Sequence, residues 1–201
     1  SVIPLPMVHG QDPGFFPLEG LVPATLLRRY KRFLVDVRMD DGTELIAHTP
    51  NTGSMLGCSD VGSRVYLSPA TTPGRKLPFT LEVVDAGESL VGVNTLLPNR
   101  LLYQATSGGL PPALSGYRSV RREVKVGEHS RIDLLLEQPG RRPCYVEIKN
   151  VTLARQWVAC FPDAVTARGQ KHLRELALLA REGKRAVILF AVQRNDCQRM
   201  A

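Results

Sequence analysis

The chain has 201 residues and a mass of 22.2 kDa, which fits one large domain or two small ones at ~100–200 residues per domain. Charged residues at 22% and hydrophobic residues at 43% describe a globular chain rather than a disordered tail. With 26 basic against 19 acidic side chains it carries +7, which points to an anionic partner, and residues 101–201 hold all of that excess, with 17 basic and 9 acidic against 9 and 10 in residues 1–100.

Residues up to Phe16 read as an irregular arm, opening on Ser1-Val2-Ile3-Pro4-Leu5-Pro6 without the basic region or continuous apolar stretch of a signal peptide. Phe33, Val35, Val37 and Met39 alternate with polar residues, Asp40-Asp41-Gly42 signals a turn, and Leu45-Ile46-Ala47 resumes extended chain, so a hairpin is expected. Further runs at Arg64 to Ser68, Pro78 to Val84 and Leu90 to Val93 are separated by Pro and Gly turns. Several short strands at even spacing suggest a small closed barrel, and in a nucleic-acid context the OB-fold suits it.

From about Val93 the texture changes. A short helix is expected over Leu96 to Ala105, then extended runs at Val120 to Val126, Arg131 to Glu137 and Cys144 to Val151. A second helix starts near Thr166, buries Leu173, Leu176, Ala177 and Ala180 on one face, and ends at Gly183. Arg185 to Val192 reads as a strand buried on both faces. The expected class is therefore mixed α/β, an N-terminal OB-like β-barrel followed by an α/β domain. No apolar run approaches the ~20 residues of a membrane helix. Cys58, Cys144, Cys160 and Cys197 form no C-x-x-C pair, which argues against zinc and a disulfide scaffold and for a reduced, cytoplasmic protein with small buried cysteines.

The chemistry concentrates in Ser130 to Lys149. Side chains alternate along a strand, so Glu147 and Lys149 share one face while Val146 and Ile148 point into the core. A hairpin centred on Gly140 pairs residues whose numbers sum to 280, which sets Asp133 across from Glu147. Two carboxylates sharing one spot repel each other and raise each other's pKa unless a cation lies between them, which makes the pair an oxygen site for Mg2+ or Mn2+. With Lys149 beside it, such a site suits phosphodiester hydrolysis. An E-x-K on a strand is also compatible with an exposed ion pair worth ~0–1 kcal/mol.

These strings resemble a known family. Ser130-Arg131-Ile132-Asp133, Val146-Glu147-Ile148-Lys149-Asn150-Val151-Thr152-Leu153 and the stretch from Phe161 to Leu176 look like the sugar fermentation stimulation protein family, as do Arg29-Tyr30-Lys31-Arg32-Phe33 and His48-Thr49-Pro50-Asn51-Thr52-Gly53-Ser54-Met55. The resemblance spans roughly Leu21 to Val192 and implies a bacterial or archaeal DNA-binding protein with an OB-like N-terminal domain and a PD-(D/E)xK nuclease-like, restriction-endonuclease-like α/β domain; with the irregular arm over 1–16, the expected boundaries are 17–93 for the barrel and 94–201 for the second domain. On that pattern Asp133, Glu147 and Lys149 match the catalytic positions, Gln170 matches a glutamine beside the site, and the family continues past Val192 through a further helix and strand. Many such nucleases also carry a glutamate on the helix before the strands, but Thr95 to Thr106 has no carboxylate. Glu123 either substitutes for it or is an exposed glutamate among Arg121, Arg122 and Lys125.

DNA contacts are expected from Arg29, Tyr30, Lys31 and Arg32, with Arg28 and Phe33, a basic and aromatic stretch at a strand start. Arg168, Lys171 and His172 lie at the start of the second helix, where free amides also favour phosphate; His172 fits a surface or core position equally well. Asn51 to Ser54 is either a loop approaching a ligand or an ordinary turn, and Trp157 is assigned to packing. Backbone-dominated contacts with weak sequence preference follow. Three functions remain open: an Mg2+-dependent deoxyribonuclease, a non-catalytic DNA-binding regulator of sugar metabolism (maltose-type on the resemblance), and a phosphate-ligand enzyme using the same cleft.

Overall fold

The structure, a computed structural model, describes residues 20–51, 53–127, 130–162 and 165–201; the arm expected over 1–16 lies outside them. The chain divides into two compact units, one of residues 18–96 with 150–164 and 192–201, the other of residues 97–149 with 165–191.

The first unit is built on β1 (Val22–Tyr30), β2 (Leu34–Met39), β3 (Glu44–His48), β4 (Arg64–Pro69), β5 (Phe79–Asp85) and β6 (Leu90–Gly92). They run in the order β3-β2-β1-β4-β5-β6, and a parallel bridge from His48 to Thr80 joins β3 to β5. Five strands thereby close into the expected OB-like barrel. Alternation drives it: Val35 and Val37 of β2 are fully buried, while Asp36 and Arg38 face outward to Arg28 and Glu44 at 2.9 Å each. The hairpin turns where expected, with Asp41 Oδ1 accepting from Thr43 N at 2.8 Å and Gly42 at φ +87°, a conformation glycine adopts without a Cβ clash. Ala24, Leu26, Val65, Leu67, Leu81 and Val91 complete the core with Met55 and Cys58. Glu82, buried among them, is satisfied by Ser68 at 2.7 Å and Asn94 at 2.8 Å. β1 escapes sequence reading because a bulge between Leu26 and Arg28 breaks its alternation.

The second unit holds α1 (Leu96–Ser107), β7 (Ser119–Val126), β8 (Ser130–Glu137) and β9 (Cys144–Val151). Two short strands follow, β10 (Ala154–Arg155) and β11 (Val158–Ala159), then α2 (Ala167–Arg181), β12 (Arg185–Val192) and β13 (Arg199–Met200). The main sheet is ordered β12-β9-β8-β7. Arg185 N donates to Pro143 O and Gln193 N to Val151 O, an offset of 42 at both ends, so β12 runs parallel to β9. As an edge strand β12 leaves Phe190 at 37% and Val192 at 39% exposure, rather than being buried on both faces. α2 begins where expected, its N-cap Thr166 hydroxyl accepting from Gly169 N at 3.0 Å, and ends before Gly183 at φ +81°.

The inward face of α2 differs from the expected one. Leu176 and Leu179 are buried while Leu173 is half exposed; His172 and Glu175, polar and turned inward, complete the stripe because Glu147 and Ser130 receive them. β10, β11 and β13 form a small sheet of the barrel's unit. Gln156 and Trp157 connect β10 to β11 with φ of +48° and +61°, a turn that holds Trp157 at 63% exposure rather than in packing.

Candidate functional site

The face alternation of β7 and β8 inverts in mid-strand, and the inversion fixes Asp133. Leu134 and Leu136 pack with Leu102 of α1, together with Val146 and Ile148. Ile132 packs instead with Leu176 and Leu179 of α2, and Ser130 donates to Glu175 of α2. Even-numbered residues of one strand should share a face, so the chain turns over between Ile132 and Leu134. β7 does the same: Val120 joins the α1 side and Val126 the α2 side, with Glu123 between them at φ +51°. Pairing resumes on the same register across the inversion, Arg122 with Leu134 and Val124 with Ile132.

The β8–β9 register is the expected one, Leu134 with Val146, Leu135 with Tyr145 and Leu136 with Cys144. It stops one step short of Asp133 and Glu147. There the Asp133 carboxylate takes over the ladder, Oδ2 accepting from Ile148 N at 2.7 Å, while Oδ1 accepts from Asn99 Nδ2 of α1 at 2.8 Å. Burial foremost, opposed by the Ile148 hydrogen bond and assisted by the charges of Glu147 and Glu123, raises the Asp133 pKa from 3.8 to about 6.

Glu147 and Lys149 share a face as expected, but Glu147 is the deeper, at 3% exposure. Its Oε1 lies 2.7 Å from Lys149 Nζ and in contact with His172 Nδ1 of α2; Lys149 Nζ is 3.4 Å from the same ring nitrogen. The Oε2 of Glu147 is buried without a hydrogen-bond partner among the described residues. The two carboxylates therefore have separate hydrogen-bonding partners rather than one shared set, yet remain close enough for the charge of one to raise the pKa of the other. Among the described residues no three His, Cys, Asp or Glu side chains cluster in a metal-holding arrangement. The donor chemistry still fits a hard cation: two carboxylates suffice for Mg2+, which keeps most of its water, and the orphaned Oε2 leaves lone pairs for it.

Gln170 is exposed on α2; the residue of that helix that reaches Glu147 is His172. Asn99 is the partner that sequence reading missed, and its only signal is a polar residue beside the buried Pro98, Leu102, Thr106 stripe of α1. Glu123 is exposed, yet near enough for its charge to act on Asp133. Arg168 is exposed, and Lys171 lies 4.0 Å from Glu175.

In the barrel, Arg28 to Phe33 forms the end of β1 and the turn to β2, not a strand start. Arg29 is committed internally: its guanidinium donates to the carbonyls of Asn51 and Gly53 at 2.8 Å, of Arg32 at 3.0 Å and of Ser54 at 3.2 Å. It latches the loop of Asn51 and Ser54 instead of facing phosphate, and burial lowers its pKa. Tyr30 lies under the Arg28 guanidinium at 4.6 Å. Lys31 and Arg32 remain outward at φ +49° and +65°, a conformation unfavourable for side chains with a Cβ and found where surroundings impose it.

Among the described residues no helix is long and apolar enough to cross a membrane and no disulfide forms; Cys58 and Cys144 are buried, Cys160 and Cys197 only partly.

Family models match twice: an "SfsA N-terminal OB domain" over residues 27–93 and a "Sugar fermentation stimulation protein RE domain" over residues 96–201. A sugar fermentation stimulation protein homolog of Rhodospirillum centenum is 57% identical over 178 residues, 88% of this chain and 76% of the relative. One of Pelobacter propionicus is 55% identical over 181 residues, 90% of this chain and 78% of the relative. A solved structure, Pyrococcus furiosus SfsA in complex with Ca2+, is 32% identical with a TM-score of 0.82, covering 91% of this chain and 77% of that one. With both family domains matched in order and relatives alike over most of their length, the chain belongs to the sugar fermentation stimulation protein family.

Proposed function

We propose that this protein binds DNA and hydrolyses phosphodiester bonds at Asp133, Glu147 and Lys149, with Mg2+ or Mn2+ held by the two carboxylates. The observation that carries the reading is Glu147 Oε2, a buried carboxylate oxygen with no hydrogen-bond partner among the described residues, beside an aspartate whose own ionisation is disfavoured. A cation relieves both conditions. The Ca2+ complex of the Pyrococcus furiosus relative supports it. When bound, a divalent ion in such a site supplies charge neutralisation and a more acidic water.

The chain's own residues do the rest. Ile148 N and Asn99 orient the Asp133 carboxylate. Lys149 spends one donor on Glu147 and keeps others for a phosphate oxygen. His172 steadies Oε1 of Glu147. Arg168 and Gln170, exposed in the first turn of α2, stand where free amides and the helix dipole favour phosphate, and Lys31 and Arg32 offer further backbone contacts. Four cysteines without a disulfide among the described residues suit a reduced cytoplasmic setting.

A non-catalytic DNA-binding regulator is the second reading. It is favoured by the same Glu147, whose Oε1 already has Lys149 and His172 as partners, as in a self-contained ion cluster. Supercoiled plasmid incubated with the protein in Mg2+, Mn2+ or EDTA separates the two. Hydrolysis expects nicking that disappears with EDTA, Glu147→Gln and Lys149→Ala; DNA binding with no cleavage in either metal overturns it in favour of the regulator. Binding itself should weaken steeply with salt.

A further inference from the structure

A second charged site lies at the start of β9, ahead of Glu147 in mid-strand. Arg141, Arg142 and Arg185 line a cavity of about 310 Å3 together with Tyr117 and Ala113. Arg141 and Arg142 belong to the β8–β9 turn and Arg185 opens β12, so three guanidinium groups meet where two adjacent strands begin. Among the described residues none of them has a carboxylate partner, which sets them apart from Arg28, Arg38, Arg64, Arg121 and Arg194, each ion-paired.

The arginines are positioned by neutral groups. Arg141 donates through Nη1 to Ser115 O at 2.8 Å and Gly116 O at 3.0 Å, and its guanidinium lies 4.1 Å from the Tyr117 ring centre. Arg185 donates through Nη2 to Ala113 O at 2.7 Å and through Nη1 to Tyr117 Oη at 3.4 Å. Gly116 is part of the construction: at φ +78° it leaves the space in which a Cβ would stand 2.7 Å from Arg141 Nη1. Carbonyls and a ring face orient guanidinium groups without cancelling their charge, so mutual repulsion persists until an anion enters. Arg142 has no side-chain partner among the described residues, and donors remain on all three groups.

We propose that this cavity is an anion site for a phosphate group, separate from the Asp133 and Glu147 centre. Planar guanidinium forks match phosphate oxygens two at a time, and the volume, at the small end of ligand pockets, suits a phosphate with little attached to it. The phosphate comes either from a small phosphorylated molecule or from the backbone of bound DNA.

Calorimetric titration of the full chain in EDTA at low salt, with inorganic phosphate as the probe, tests this. Saturable binding is expected, weakened about tenfold by Arg142→Gln, as expected for loss of a charge-assisted contact. Gly116→Ala should weaken it by displacing Arg141, and Arg121→Gln should leave it unchanged. Asp133→Asn should also leave it unchanged, so failure of the hydrolytic reading and failure of this one are distinguishable. No saturable binding at millimolar phosphate, or equal affinity in wild type, Arg142→Gln and Arg141→Gln, overturns the proposal. Titration with AMP and with a short duplex then assigns the source: AMP binding tighter than inorganic phosphate, with duplex affinity indifferent to Arg142→Gln, points to a small ligand, and a matching loss of duplex affinity points to DNA backbone.

Discussion

Replacing Asp133 by Asn should stabilise the metal-free protein at alkaline pH while removing its proposed activity. Burial, with the charges of Glu147 and Glu123, moves the Asp133 pKa from 3.8 to about 6, a difference worth about 3 kcal/mol at 1.36 kcal/mol per unit. The folded pKa lies above the unfolded one, so the folded state is favoured below about pH 4 and that advantage is lost as pH rises through 6. At pH 8 the ionised carboxylate therefore costs the fold about 3 kcal/mol. Asparagine carries no charge at any pH. It can keep Ile148 N as a donor to its oxygen and give its own NH2 to the Asn99 amide, turned over to present an oxygen. Losing the charge-assisted character of those bonds returns about 1 kcal/mol. The net gain at pH 8 in EDTA is thus about 2 kcal/mol, fading by pH 4. Urea denaturation followed by far-ultraviolet circular dichroism at both pH values measures it. A variant less stable than wild type at pH 8, or a difference that does not change with pH, refutes the reasoning. With Mg2+ present, wild type alone should gain stability as a metal-binding protein does.

Four other outcomes are expected. Arg29→Ala should destabilise the barrel by about 2–3 kcal/mol in thermal or urea unfolding, since four carbonyls lose their donor, and Arg29→Lys should not restore it, because an ammonium cannot reproduce the planar fork. Lys31→Gly with Arg32→Gly should raise stability by about 1 kcal/mol by relieving two positive φ angles, yet weaken DNA binding in a salt-dependent manner when titrated by fluorescence anisotropy. Asp196 is held down to about 2 mainly by the Arg194 side chain, which stabilises the folded state above pH 4 and ceases to do so as pH falls through 2; Asp196→Asn should therefore cost about 2 kcal/mol at pH 7 and progressively less below pH 4 in denaturation curves. His172→Ala should slow plasmid nicking less than Glu147→Gln does, because Lys149 still holds Glu147 Oε1.

Much of this fold was legible because local rules and tertiary structure agree. The Asp41-Gly42 turn, the Thr166 cap and the Gly183 stop are encoded within a few residues, and the tight turn at Gly140 carried the register down β8 and β9. What was not legible depends on distant partners. Nothing in Ser130 to Leu136 announces that its faces exchange at Asp133; that follows from Glu123 taking a left-handed conformation on the next strand and from Asn99 and Ile148 N receiving the carboxylate. Gln170 and His172 are two residues apart on one helix, and only the buried Glu147 decides which of them turns inward. Arg29 looked like its basic neighbours until the loop carbonyls that claim it were in place. Charge content suggested an anionic partner, but which charges stand outward is a property of the folded chain.

The path of the backbone has a practical meaning. It passes from one compact unit to the other after residues 96, 149, 164 and 191, so the barrel's unit is not a continuous stretch of sequence. Cutting the gene near residue 93 would yield a barrel fragment without the β10–β11 hairpin and without Arg194, which is paired with Asp196 at 2.7 Å and whose bond to Thr152 O at 3.0 Å fastens the two returning segments to one another. The missing pieces would be carried by the other fragment, where they have no barrel to join. Fragments for biophysical work on this family are therefore better obtained by co-expressing both halves, or by rewiring the chain, than by truncation.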